Sequence, residues 1–99
     1  MSFLADLFNT EHPIIGLLHL KALPGDPFYD DQTGLPTVVE AATRDLEALQ
    51  EGGIDGILIT NEFSIPYQQH VSPVTLAAMA YVIGALRPMI QVPFGAEAL

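Results

Sequence analysis

Apolar runs too short for anything but strands alternate along this chain with longer stretches at helical period. Residues 14–20, IIGLLHL, form a nearly continuous apolar run between Pro13 and Pro24-Gly25. Residues 56–60, GILIT, form a second, and residues 89–95, MIQVPFG, a third. Runs of this kind suit strands buried on both faces of a parallel sheet. Between the first two lies TVVEAATRDLEALQEGG, with Val39, Ala42, Leu46 and Leu49 on one face and Glu40, Arg44, Glu47 and Glu51 on the other. Thr37 with Glu40 has the form of a capping box, and Gly52-Gly53 supplies the stop, which predicts a helix over 37–51. Ser72 followed by Pro73 opens a second helix over 73–86, ended by Pro88. Phe3, Leu4, Leu7 and Phe8 give a short amphipathic helix over 2–8.

The order strand, helix, strand, helix, strand implies crossovers and a parallel sheet. Three such strands leave both sheet edges open and one face poorly covered, which invites association. A complete βα barrel takes roughly 250 residues. The expected fold class is therefore α/β: a parallel β-α-β-α-β segment over 14–95, the N-terminal portion of a TIM (β/α)8 barrel forming a single domain over 1–99, truncated as it stands. A truncated gene product and a fragment completed by self-association are the alternatives.

Composition removes several function classes. Three basic residues against twelve acidic ones give a net charge of −9, so the chain lacks the cations that displace counterions from nucleic acid. There is no cysteine, hence no disulfide, thiolate metal site or thiol nucleophile. The longest apolar run, Val74 to Leu86, has 13 residues against the roughly 20 that a bilayer span needs. The N-terminus has no basic region ahead of an apolar core, so no signal peptide is read there. The expected setting is cytoplasmic.

In βα barrels, chemistry sits at the C-terminal ends of strands. Three groups qualify: His19 with Lys21, Asn61 with Glu62, and Glu97. His19 suits a general acid or base, since its unperturbed pKa lies near neutrality. Lys21 suits contact with a phosphate or carboxylate. Glu62 suits a base or a ligand to a divalent metal, and Asn61 a substrate contact. Side-chain alternation puts Leu17, His19 and Lys21 on one face, and Ile59 with Asn61 on one face. If the odd positions point inward, His19, Lys21 and Asn61 converge. Each residue also has a plain reading: strand-end capping for His19, a surface lysine for Lys21, loop capping for Asn61. Asp26, Asp30 and Asp31 read as a solvated acidic loop, since their spacing does not match a calcium loop. His12 and His70 lack partners at metal-ligand spacing. Gly52, Gly53 and Gly56 lack the dinucleotide frame. Met79 and Tyr81 read as core packing.

The segments PIIGLLHLKALPGDPFYD, EAATRDLEALQEGGIDGILITNEFSIPY and TLAAMAYVIGALRPMIQVPFG resemble the N-terminal third of the BtpA family, with a closer likeness to its SgcQ branch. The most specific pieces are His19-Leu20 with Leu23-Pro24-Gly25, the run Glu51 to Gly56, and Asn61-Glu62-Phe63. The resemblance implies a TIM barrel of the phosphate-binding kind. It also implies either a sugar-related role, through the SgcQ branch's association with a sugar-uptake gene cluster, or a part in photosystem I accumulation. Family members tend to read Gly-Val-Asn after the third strand, where this chain reads Gly95-Ala96-Glu97. The expectation is an enzyme acting on a small anionic, phosphorylated sugar-like metabolite. His19 and Glu62 would be its catalytic residues, Lys21, Asn61 and Glu97 its substrate contacts, and a divalent metal a candidate cofactor. The alternatives are a non-enzymatic assembly factor holding a partner protein, and a non-functional fragment.

Overall fold

A computed structural model describes residues 3–67 and 69–99. The elements follow the order α1 (Phe3–Phe8), β1 (Ile15–His19), α2 (Gly34–Glu51), β2 (Gly56–Thr60), α3 (Pro73–Leu86), a 3-10 turn (Arg87–Met89) and β3 (Phe94–Glu97). The three strands form one parallel sheet in the order β1-β2-β3. The expected α/β segment is present over the described residues.

The core lies between the sheet and α2 and α3. Leu18 on the first strand, Leu20 just past its end, and Ile57 and Ile59 on the second strand pack with Val38, Ala42 and Leu46 of α2 and with Ala78, Met79, Val82 and Leu86 of α3. These helix positions recur at three- and four-residue spacing, the signature of a single apolar stripe. Tyr81 falls off that stripe and is exposed, so the core expectation is met by Met79 and not by Tyr81. On the opposite sheet face the ring of Phe8 from α1 approaches Gly56, and there Ile15 is 44% and Leu17 53% exposed. The first helix, read as amphipathic, buries no residue fully, and Phe3 and Leu7 stand exposed.

Boundaries differ from expectation in two places. The second helix begins at Gly34, so Thr37 lies inside it and its hydroxyl donates back to the Thr33 carbonyl at 3.2 Å. Glu40 pairs with Arg44 at 3.0 Å instead of closing a capping box. Pro36 does not block this start, because a first-turn residue has no intrahelical use for an N–H. The third strand begins at Phe94 and not at 89. Gln50 of α2 holds the preceding segment: its Nε2 donates to the Met89 carbonyl at 3.1 Å and its Oε1 accepts from Gln91 N at 2.7 Å. The third helix matches expectation at both ends, and Ser72 Oγ accepts from Thr75 N at 3.1 Å.

Candidate functional site

Strand register decides which polar groups meet. His19 pairs with Thr60, and Thr60 in turn pairs with Glu97. Direct partners in a sheet share a face, so His19, Thr60 and Glu97 form one row across three strand ends, on the face opposite the one that packs against α2 and α3. The partly buried His19 has its Nδ1 2.8 Å from Thr60 Oγ1. Thr60 is only 4% exposed.

Asn61 does not join this row. Odd positions of the first strand pair with even positions of the second, Leu17 with Leu58 and His19 with Thr60. Asn61 therefore continues the side of Ile57 and Ile59, and the expected convergence of His19 with Asn61 is corrected. Alternation within each strand was read properly, but the offset between strands is not a property of either strand alone. Asn61 is 1% exposed, and its side-chain amide bonds the backbone of Leu99 through both Oδ1 and Nδ2.

Lys21 lies two residues past His19 and is exposed. Among the described residues the one ion pair is Arg44 with Glu40, so Lys21 has no carboxylate within salt-bridge reach. It borders a cavity of about 410 Å³ that also takes in Phe28, Tyr29, Thr33 and Thr37, at the start of α2. A second cavity of about 330 Å³ lies between Lys21, Ala22, Phe28 and Phe63. Phe63 also lines a third, of about 390 Å³, beside Leu17, His19 and Asp45. Phe63 thus stands between the His19 side and the Lys21 side. Phe28 is 72% and Phe63 50% exposed. The sequence reading passed over both as site residues and also missed Thr60. For Phe28 the available signal was an aromatic residue inside a Pro- and Gly-rich loop, where burial does not account for it.

Glu62 sits in the turn closed by Ser64 N donating to the Asn61 carbonyl at 2.9 Å. Tyr67 donates its hydroxyl to the Glu62 carbonyl at 2.7 Å. Desolvation first, then the charge of the Glu62 carboxylate and hydrogen bonding to this residue, push the Tyr67 phenol above its ordinary value of 10.0. Glu62 lines none of the three cavities around His19 and Lys21. Among the described residues no group of three or more His, Cys, Asp or Glu side chains is arranged to hold a metal ion.

The first loop is more ordered than a solvated acidic segment. Asp26 Oδ2 accepts from Leu23 N at 2.7 Å and from Ser64 Oγ at 2.5 Å, tying the loop after β1 to the loop after β2. Asp30 Oδ1 accepts from Gln32 N at 3.0 Å and Thr33 N at 3.4 Å ahead of α2. No helix among the described residues is long and apolar enough to cross a membrane.

Several curated proteins are similar to the chain over most or all of its length. The sgc region protein SgcQ of Escherichia coli (strain K12) is 48% identical over 99 residues, all of this chain and 37% of that protein. An uncharacterised protein of Thermococcus kodakarensis is 36% identical over 87 residues, 88% of this chain and 33% of that protein. The photosystem I biogenesis protein BtpA of a Synechocystis strain is 34% identical over 93 residues, 93% of this chain and 32% of that protein. The chain thus spans about a third of the length of these curated relatives. No solved structure gives a significant match. The family match runs over residues 10–99, which takes in all three strands and the row His19, Thr60 and Glu97, and on that match the chain belongs to the BtpA family.

Proposed function

We propose that β1–β3 are the first three strands of a (β/α)8 barrel whose C-terminal face binds a small anionic, phosphorylated sugar-like metabolite for chemistry. The observation that carries this reading is Lys21, a cation without an ion pair, on the wall of the 410 Å³ cavity at the start of α2. The Thr33 and Thr37 hydroxyls border the same cavity, and Thr33 in the capping position makes no side-chain cap to the helix. First-turn amides of a helix favour negative charge. The Asp30 carboxylate on the same wall is turned to Gln32 N and Thr33 N, which leaves Lys21 as the cation that receives the anion. Phe28 and Phe63 offer exposed rings for the apolar face of a sugar. His19 supplies a proton-handling group on the neighbouring side of Phe63, and Glu97 completes the polar row. Glu62 orients substrate or a divalent ion from the adjoining turn. Asn61 contributes by holding the chain after β3. The sugar-like part of the reading rests on the likeness to the SgcQ branch, and a cytoplasmic setting goes with it.

The test is thermal unfolding of the chain with inorganic phosphate and a panel of hexose phosphates, alongside Lys21→Met. At about 100 times Kd a ligand adds about 2.7 kcal/mol, which for a domain this small raises Tm by about 10 °C or more. The expected result is a rise with at least one phosphosugar that Lys21→Met abolishes. No rise with any of them, or an equal rise in the variant, overturns the reading.

A second reading is favoured by the bare apolar residues Ile15 and Leu17 and by the relative named for photosystem I biogenesis. In it the chain holds a partner protein without catalysing a reaction. Capture of that partner would survive His19→Ala and Lys21→Met and fail on Leu17→Asp or on surface changes along α2 or α3. The opposite pattern rejects it.

A further inference from the structure

We infer that Thr60 is a positioning residue that holds His19 as the neutral tautomer protonated on Nε2, so that the ring offers the open sheet face a hydrogen-bond donor and not a base. The inference rests on His19 being a working residue in the reading above, and it concerns which nitrogen does the work.

The argument is one of hydrogen-bond accounting. Thr60 is buried at 4% exposure, and its hydroxyl has a single partner, His19 Nδ1 at 2.8 Å. Its backbone is pinned from both sides, since its carbonyl accepts from Leu20 N at 2.9 Å and the residue pairs with both His19 and Glu97. A hydroxyl has one proton to give, and a neutral imidazole has one donor nitrogen and one acceptor nitrogen. If Thr60 donates, Nδ1 accepts, the buried hydroxyl and the partly buried ring nitrogen are both satisfied, and the ring proton sits on Nε2. If Nδ1–H donates instead, the Thr60 O–H must find another acceptor, and among the described residues it has none. An unpaired buried donor is costly, and that cost selects the first arrangement.

The chemical consequence is specific. Base catalysis through Nε2 would require moving the ring proton to Nδ1 and orphaning the Thr60 hydroxyl. A neutral Nε2–H instead polarises an oxygen, as a neutral imidazole does when it acts on a carbonyl. The ligand group facing His19 is therefore an acceptor oxygen, of a carbonyl or a phosphate, and any general base belongs to another residue.

Tautomers are read from long-range proton–nitrogen correlation spectra of the nitrogen-15-labelled full chain at about pH 8, where a typical imidazole is neutral. His19→Gln assigns the signal against His12 and His70. The expected wild-type pattern is a single tautomer, with Nε2 protonated and Nδ1 a bare acceptor. Thr60→Val should lose that single-tautomer pattern and Thr60→Ser should restore it, with the amide fingerprint preserved in both. A wild-type ring protonated on Nδ1 overturns the inference whether or not the variants fold, and so does an unchanged tautomer in a folded Thr60→Val. No ligand is added, so failure of phosphosugar binding and failure of the tautomer assignment are separate results.

Discussion

Asn61 and Leu99 exchange two hydrogen bonds: Asn61 Nδ2 donates to Leu99 O at 3.0 Å, and Leu99 N donates to Asn61 Oδ1 at 2.6 Å. The side chain thereby acts as a further rung for a segment that has run past the end of β3, and it does so from a buried position. Asn61→Leu keeps the volume but leaves the Leu99 N–H and carbonyl without this partner. Removing one member of such a set costs about 1–3 kcal/mol. The expected outcome is a loss of that order in denaturant unfolding, with amide exchange accelerated most over residues 96–99. Unchanged exchange there would deny the side chain its latching role.

Where local chemistry governs an element, the sequence was enough to read it. Ser72-Pro73 sets the start of α3 through bonds within four residues, and both ends of that helix were legible. Where a distant group intervenes, the reading drifted. Gln50 lies about forty residues from Met89 and Gln91, and its two hydrogen bonds pull that segment out of the sheet, so β3 starts later than its apolar character suggested. The start of α2 was hidden because Thr37 and Glu40 mimic a capping box, whereas the helix opens at Gly34 behind a turn held by Asp30 Oδ1. In the candidate site, His19 and Glu97 were legible as polar residues at strand ends. Thr60 was not, because threonine is ordinary inside a strand and only the register sets its hydroxyl beside His19.

Asp26 fastens the first loop to the second through one oxygen that serves both Leu23 N and Ser64 Oγ. Leu23 and Ser64 are both buried, so water cannot readily replace the carboxylate. Asp26→Ala should cost more than a typical surface change, about 2–4 kcal/mol for two orphaned donors. Asp26→Asn, which keeps an acceptor oxygen, should recover part of it. Urea midpoints of the two variants against wild type decide this, and equal midpoints for Asp26→Ala and wild type would contradict the tie.

Tyr67 should lose its phenolic proton above the ordinary tyrosine value. Its pKa is raised from 10.0 by desolvation and then by the Glu62 carboxylate, so the folded state favours the neutral phenol. The sign follows: this contribution to stability is fully present below the unfolded value and is lost as pH rises through the higher folded value. Phenolate absorbance, with Tyr67→Phe subtracted to isolate the group, should show the late titration. Glu62→Gln should bring it part of the way down, because the desolvation remains. An unshifted curve in Glu62→Gln would remove the carboxylate as a cause.

Gly53 and Gly84 give opposite expectations for the same substitution. In neither case would a Cβ meet any atom within 4 Å, so packing does not decide. Gly53 follows α2 at φ +83°, a left-handed conformation that L side chains resist, with its N–H donating to the Gln50 carbonyl at 3.1 Å. Gly53→Ala should therefore destabilise by about 1–2 kcal/mol. Gly84 lies within α3 and is not among the glycines with positive φ. There alanine restricts the unfolded chain and suits the helix, so Gly84→Ala should stabilise by about 0.5–1 kcal/mol. Thermal unfolding of the two single variants and the double variant is the check. One site follows α2 and the other lies within α3, and they share no partner, so their effects should add, leaving the double variant close to or slightly below wild type. Destabilisation by Gly84→Ala would mean that a neighbour in solution occupies the open space beside that turn of α3.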